Sequence, residues 1–329
     1  MTSDVASAHL TRSNLWSAQL KDILEDELAA QKWVNWLSEF PDGTTLNIPS
    51  VGQASTQDVT ENSPIQYEAL DTGNFTLTID EYVGSAHYIT RKALQDAFYA
   101  REVMGMFVPK ESRAIAEHLE TNILNKASAG QTGGLAGAFN HNLVNGKSHR
   151  FAGSGGSGAT ALADIAYAKL SLKKANVPMT GLIGIVPPEV GFVFETLTNI
   201  VNVSNNPMWE GIVQTGLSTG MRFIKNIYGF DIYESNYLPE PNGGITGTMQ
   251  EFDQSTTVSI TDANEVMSNY FSAAPGVQPI VGAMRQMPIV DSEFNKDLQR
   301  EEYVTTARWG CKLFRPENMV TIITTNAVS

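Results

Sequence analysis

Between Lys32 and Arg91 the chain carries no lysine or arginine, while Asp42, Asp58, Glu61, Glu68, Asp71, Asp80 and Glu81 all lie inside that interval. The same stretch adopts a period of two. Leu46 and Ile48 alternate with polar residues, as do Phe75, Leu77 and Ile79, so 44 to 88 reads as a long two-stranded excursion. Its middle, GQASTQDVTENSP, holds too few large apolar side chains for a core of its own, and an isolated two-stranded ribbon is marginal in water. A folded chain containing this ribbon must rest it on something else, and its charge asks for a basic neighbour or open water.

Charge is blocked along the rest of the chain as well. Residues 1 to 90 carry a net -10, 91 to 174 a net +5 and 175 to 329 a net -8, within a total of -13. Holding a nucleic-acid backbone by charge needs lysine and arginine clustered on one face, so the acidic balance argues against tight DNA binding by the body. At 329 residues the chain is about two domains' worth and can bury a core without staples. Its single cysteine, Cys311, has no partner for an intramolecular disulfide, which fits a reducing interior. The amino end, MTSDVASAHLTRSNLW, lacks a basic stretch followed by an apolar run, and no window reaches the ~18 unbroken apolar residues of a membrane span. Neither a targeting segment nor an anchor is expected.

Residues 13 to 37 read as a helix, with Leu20, Ile23, Leu24 and Leu28 on one stripe and Trp33, Val34, Trp36, Leu37 and Phe40 as an aromatic cluster at its end. Pro41, Asp42 and Gly43 break it. Helical character returns from Arg91 to Ser128, where Ile115, Leu119 and Ile123 repeat at four, and Pro109 either kinks a long rod or opens its second piece. Glycines crowd 130 to 158 and read as a mobile connector. A helix over 159 to 176, a strand at 182 to 187, a helix after Pro188 and strand-like FIKNIYGFDIYE at 223 to 234 follow, then a loop around Pro239 to Gly244. The closing TTARWGCKLFRPENMVTIITT reads as two β runs joined by a turn at 315 to 318.

Three enzyme-like patterns fail on context. Gly216-Leu217-Ser218-Thr219-Gly220 matches a nucleophile elbow, but no histidine follows Ser218, and that arrangement places its base after the serine. Gly153, Gly155 and Gly158 have dinucleotide-binding spacing, yet the preceding HRFA does not read as an apolar strand and no acidic residue stands about twenty positions on. Gly146-Lys147-Ser148 resembles the end of a phosphate loop whose first glycine is replaced by His141. The histidines His9, His87, His118, His141 and His149 show no metal-ligand spacing, His118 reads as a surface residue, and Asp291 and Glu293 read as solvated. No catalytic, cofactor-binding or metal site is expected, which shifts weight toward a protein that holds a shape.

The order of elements resembles the major capsid protein of tailed bacteriophages, the HK97-like fold. LTIDEYVGSAHYITRKALQDAFYAREVMGMFVPKESRAIAEHLETNIL resembles that family's extended-loop return strand running into its spine helix, and YGFDIYESNYLP and GCKLFRPENMVTIITT resemble further capsid segments. The resemblance implies an α+β fold with an amino-terminal arm at 1–43, an extended β-hairpin loop at 44–90 and a peripheral domain with the spine helix at 91–177. It further implies an axial domain at 178–295 and a return to the peripheral domain at 296–329.

It also implies a structural protein, not an enzyme, that self-assembles into pentamers and hexamers of an icosahedral head. That head would enclose double-stranded DNA without sequence-specific binding or membrane contact, located in the virion after assembly in the host cytoplasm. Draped on a neighbouring subunit, the ribbon would gain the support it lacks. The expected inter-subunit contacts run from Asp58, Glu61, Glu68, Asp71, Asp80 and Glu81 to residues such as Arg91, Lys92, Arg101, Lys110 and Arg113. The loop contains no lysine, which excludes the covalent lysine-to-asparagine crosslink some relatives form from it, so stability would come from noncovalent contacts or cement proteins. Only about 43 residues precede the loop, so scaffolding is expected from a separate protein, with a portal as a further partner. The alternatives are an encapsulin-like nanocompartment shell of the same fold, separated by a cargo groove and the lack of a genome, and an α/β serine hydrolase using Ser218.

Overall fold

A computed structural model of the chain describes residues 28–38, 43–51, 56–59, 61, 62, 64, 67, 72–96, 100–129, 143–196, 222–238, 246–250, 252, 257–261 and 265–325. Most of the helix expected over 13 to 37 lies outside these residues. Within them the chain forms a 3₁₀ turn, Ala30–Trp33, and then strand β1 (Asn35–Trp36). Tertiary anchors override the helical period here. Trp33 packs on Tyr233 and Phe271 at centroid distances of 5.3 and 6.0 Å, while the Trp36 ring fills the space a Cβ on Gly282 would occupy, 2.7 Å away. Extended backbone between the two rings lets each reach its own site.

Strands β2 (Thr45–Val51) and β3 (Thr72–Thr78) pair antiparallel, from Thr45 opposite Thr78 to Val51 opposite Thr72. The ribbon expected to run to Tyr88 ends sooner, because Leu77 and Ile79 plug into Val281 and Ala283 and hold its base against the body. Beyond Asp80, β4 (Glu81–Thr90) turns away to another sheet. Helix α1 (Arg91–Asp96) follows, and α2 (Ala100–Ala129) runs unbroken through Pro109 for 30 residues, about 45 Å.

Residues 130–142 of the glycine-rich connector lie outside the described residues. The rest of it is ordered. Strands β5 (Leu143–Val144) and β6 (Lys147–Ser148) join through Asn145 and Gly146, whose φ of 48° and 74° suit a two-residue hairpin turn. Strand β7 (Arg150–Ala152) and a 3₁₀ turn at Gly156–Gly158 complete it. Then come α3 (Leu162–Lys174), β8 (Leu182–Val186), α4 (Pro188–Thr196), and the hairpin β9 (Arg222–Ile227) and β10 (Phe230–Glu234). The chain closes with β11 (Thr246–Gln250), β12 (Thr257–Thr261), β13 (Glu265–Ser272), β14 (Ile280–Asn295), β15 (Arg300–Leu313), a 3₁₀ turn at Pro316–Asn318 and β16 (Met319–Thr325).

Two sheets carry the body, in the orders β1-β14-β15-β4 and β7-β16-β13-β8-β10-β9. Ile115, Leu119, Ile123 and Leu124 of α2 meet Ala307, Trp309 and Cys311 of β15 and Ile183, Ile185 and Phe271 of the six-stranded sheet in one core. The opposite face of the six-stranded sheet buries Leu182, Val186, Ile232 and Tyr270 under Ile165, Ala168 and Leu172 of α3 and Val190 and Phe194 of α4. Because both faces of β8 are covered, all five of its residues are buried, which is why LIGIV is an apolar run without alternation.

Sheet membership cuts across two of the boundaries drawn from the sequence. The 177/178 junction separates α3 from β8, which share a core, and the 295/296 junction falls at the tip of the β14–β15 hairpin. The two closing β runs form as expected, but β15 joins the four-stranded sheet and β16 the six-stranded one.

Candidate assembly surfaces

The motifs that suggested chemistry are occupied by the chain itself. HRFA, which does not read as an apolar strand, contains buried β7, parallel to β16, so the strand–glycine loop–helix context does exist here. Yet a Cβ on Gly153 or Gly155 would lie 2.5 or 2.6 Å from the Ala159 carbonyl oxygen, so these glycines let the loop pack on itself. The place a phosphate would take before α3 holds the Asp164 carboxylate. It accepts hydrogen bonds from Ser154 N at 3.0 Å, Ser154 Oγ at 2.5 Å and Ala161 N at 2.8 Å. Gly146 and Lys147 belong to the β5–β6 hairpin and open no helix. Ser218 and its flanking glycines lie outside the described residues. Among the described residues no group of three histidine, cysteine or carboxylate side chains is placed to hold a metal, and no helix is long and apolar enough to cross a membrane.

What the polar side chains build instead is joints. On α2, Glu120 accepts the backbone N–H of Ala29 and Ala30, tying the segment before β1 to the long helix. Glu111, buried on the same helix, meets His87 of β4 and accepts from Thr305 Oγ1 of β15 at 2.6 Å. Asn122 donates to Glu81 at 2.7 Å. Two α2 side chains, Glu111 and Asn122, thus seat the helix on one face of the four-stranded sheet, and exposed His118 rests edge-on against buried Trp309, 5.9 Å away. Sequence reading missed Glu111 and Glu120, although acidic residues beside the apolar stripe of Ile115, Leu119 and Ile123 were the available signal. Elsewhere, Asn318 bonds Ser272 N and O and Val277 O, closing the β15–β16 turn onto the end of β13.

His149 is buried where β6 meets β7, its ring nitrogens facing the carbonyls of Lys147 at 3.2 Å and Glu317 at 3.0 Å. Burial lowers its pKa below 6.5, outweighing the two carbonyls that favour the cation. Burial likewise lowers the Arg150 pKa, to about 10.

The expected contact residues are scattered within one subunit. Asp58 and Glu61 are exposed in the segment between β2 and β3, while Glu68, Asp71 and the Arg101 side chain lie outside what is described. Asp80 and Glu81 stand at one end of β4, and exposed Arg91 and Lys92 at the other, about 30 Å away for a ten-residue strand. Arg113 is engaged at home, with Glu117 at 2.9 Å and Tyr237, and Lys110 is half-buried on α2.

A long helix across a four-stranded sheet, a two-stranded hairpin seated at its base on that sheet and a second sheet flanked by helices define the HK97-like capsid class, an α+β fold of structural proteins. The chain belongs to the phage capsid protein family, whose profile matches residues 74–322, about three-quarters of its length. Solved structures agree on the fold. A chain from Mycobacterium phage Che8 superposes with a TM-score of 0.66 at 17% identity, covering 94% of this chain and 95% of that one. The capsid of cyanophage P-SCSP1u gives 0.63 at 14% identity over 93% and 91%, and the mature capsid of bacteriophage PhiM1 gives 0.61 at 11% over 94% and 90%. No curated protein matches the sequence. The chain is a structural protein of a phage capsid and not an enzyme.

Proposed function

We propose that the chain assembles through pentamers and hexamers into an icosahedral phage head around double-stranded DNA, with the arm, 1–43, and the loop, shortened to 44–80 because β4 belongs to the subunit's own sheet, reaching across neighbouring subunits. The observation that carries this reading is the β2–β3 hairpin. Thr45, Asn47, Pro49, Gly73, Asn74 and Thr78 are exposed, and the hairpin is held from one side, through Leu46, Phe75, Leu77 and Ile79 against Val281, Ala283 and Phe314 and through Lys312 on Thr76 O. A ribbon so poor in burial gains stability when laid on another subunit, and such contacts reach the size of obligate interfaces. Its acidic residues favour a basic surface there. An acidic shell protein would also leave packed DNA unbound to its wall.

In this reading a separate scaffolding protein, a portal and, in some shells, cement proteins complete assembly in the host cytoplasm. The test is sedimentation and negative-stain microscopy of the chain expressed alone and beside its neighbouring genes. Closed shells, tubes or sheets of five- and six-fold rings are expected, with DNA in those made during infection. Small discrete oligomers under every condition overturn the proposal, and shells that enclose protein cargo and no genome point to a nanocompartment instead.

A further inference from the structure

The four-stranded sheet ends in an edge of unusual character. Natural sheets guard open edges with lysine, proline, bulges or short strands. Several other edges among the described residues do so: beyond two-residue β1 the outer half of β14 carries Pro288 and two register shifts, β9 carries Arg222 and Lys225, β7 has three residues and β2 has Pro49. Along β3 the chain itself intervenes, with Lys312 Nζ donating to Thr76 O at 2.9 Å. Strand β4, EYVGSAHYIT, has none of these devices. It pairs with β15 through ten consecutive residues without a register shift and is the last strand of its sheet. Half of its backbone N–H and C=O groups therefore point away from β15. On the face opposite α2 it also presents Tyr82 and Tyr88, which are 68% and 62% exposed.

We infer that β4 pairs antiparallel with β4 of a second copy of this chain across a two-fold axis at Ala86, joining two four-stranded sheets into one of eight strands. The charge at the strand's ends selects both partner and register. In this pairing the Asp80–Glu81 end of each strand meets the Thr90 end of the other, where Arg91 and Lys92 open helix α1. The same register sets Tyr88 opposite Gly84 of its partner, where an aromatic ring covers a bare stretch of backbone. A two-fold normal to the sheet keeps both α2 helices on one side, so neither obstructs the other. The acidic hairpin of a neighbour is a poorer occupant, since Pro49 interrupts one of its edges and Lys312 covers the other. The contact rests on the shell-forming reading above and supplies a two-fold link between subunits of adjacent rings.

The variant Ala86→Cys tests it in assembled shells, since Cys311 is buried and the axis places the two new cysteines face to face. Directly opposed residues of antiparallel strands have Cα atoms about 4.5–5.5 Å apart, inside the disulfide range. Mild oxidation with diamide should convert most of the chain to a disulfide dimer on a non-reducing gel, while the native chain stays monomeric. Ala86→Lys and Ala86→Glu should each lower shell yield about tenfold by opposing like charges at the axis, and mixing the two should restore it. Shells of A86C that remain monomeric after oxidation, or a mixture that fails to restore yield, overturn the inference and leave the shell reading intact. Cross-linking of A86C only to a chain carrying Asn47→Cys assigns the edge to the hairpin and also overturns it. A native chain that never forms shells overturns both.

Discussion

Glu120 accepts the backbone N–H of Ala30 with both carboxylate oxygens, at 2.8 and 3.0 Å, across 90 residues of sequence. Ala29 N donates to the same group at 3.1 Å, so one buried side chain satisfies the first donors of the 3₁₀ turn and fixes where the amino-terminal segment leaves the body.

Glu120→Ala should therefore strip two buried donors of their acceptor and cost about 2–4 kcal/mol, while Glu120→Gln, which keeps one oxygen, should cost about 1 kcal/mol. Urea unfolding of the unassembled subunit measures both. Equal losses for the two variants would show that the side chain acts through packing and not through its oxygens.

Gly310 lies where the base of the β2–β3 hairpin crosses the four-stranded sheet, and a Cβ there would stand 2.3 Å from the Thr78 carbonyl oxygen and 2.8 Å from the Ile79 Cα. Backbone cannot move aside as a side chain can. Gly310→Ala should lift the hairpin base, lower stability by roughly 2 kcal/mol or more and speed proteolysis within 44–80. Gly184→Ala meets only the Ile232 and Tyr270 side chains, at 2.7 and 2.8 Å, and should leave cleavage of that segment at the native rate. Limited proteolysis of the two variants side by side decides the point.

Elements with a local signal were legible in the sequence. Helix α3, the apolar run of β8 and the helix opened by Pro188 formed where periodicity and turn residues placed them, whereas FIKNIYGFDIYE, read as one strand-like run, folds back on itself as β9 and β10 through Tyr228-Gly229, whose φ values are both positive, 51° and 90°. Where pairing across the chain decides, the sequence was silent. The outer half of β14 holds exposed Met287, Ile289 and Val290 beside Pro288 and two bulges, so its strand character comes from β15 and not from alternation. HRFA hid a buried strand behind a histidine and an arginine whose desolvation only the fold reveals. The chemistry of the joints was equally hidden, because Glu111 and Glu120 look like surface acids until β4, β15 and the segment before β1 arrive beside them.

The Asp164 carboxylate occupies the anion position at the start of α3, and its neutral replacement should expose that vacancy. Asp164→Ala should cost about 2–4 kcal/mol by orphaning Ser154 N and Ala161 N. Millimolar phosphate should leave the native melting temperature unchanged. A phosphate-induced rise in the native protein would revive the glycine loop as a ligand site.

Assembly driven by an acidic loop should weaken with salt. Asp58→Asn with Glu61→Gln removes two exposed loop charges without touching the hairpin strands. If the loop meets a basic surface, native shell yield should fall as ionic strength rises and the Debye length shrinks from about 10 Å at 0.1 M to about 3 Å at 1 M. The double variant should assemble less well at low salt and respond less to salt. Light scattering during assembly follows both, and an unchanged salt response would remove these two carboxylates from the interface.

His149 makes subunit stability depend on pH in a definite direction. Its folded-state pKa is lowered from 6.5 by burial, so below pH 6.5 the unfolded chain binds a proton that the folded chain excludes. Stability from this group is fully present above 6.5 and is lost as pH falls through the range between the unfolded and folded values. Protonation would place a cation in a buried site where the Lys147 and Glu317 carbonyls and the Glu317 charge do not offset the lost hydration. His149→Gln keeps a donor for one carbonyl and cannot titrate. It should be less stable than the native chain at pH 8, by about 1 kcal/mol, yet lose less between pH 7 and pH 5. Parallel pH profiles for the two chains, measured by urea unfolding of unassembled subunits, would assign the acid sensitivity to other groups.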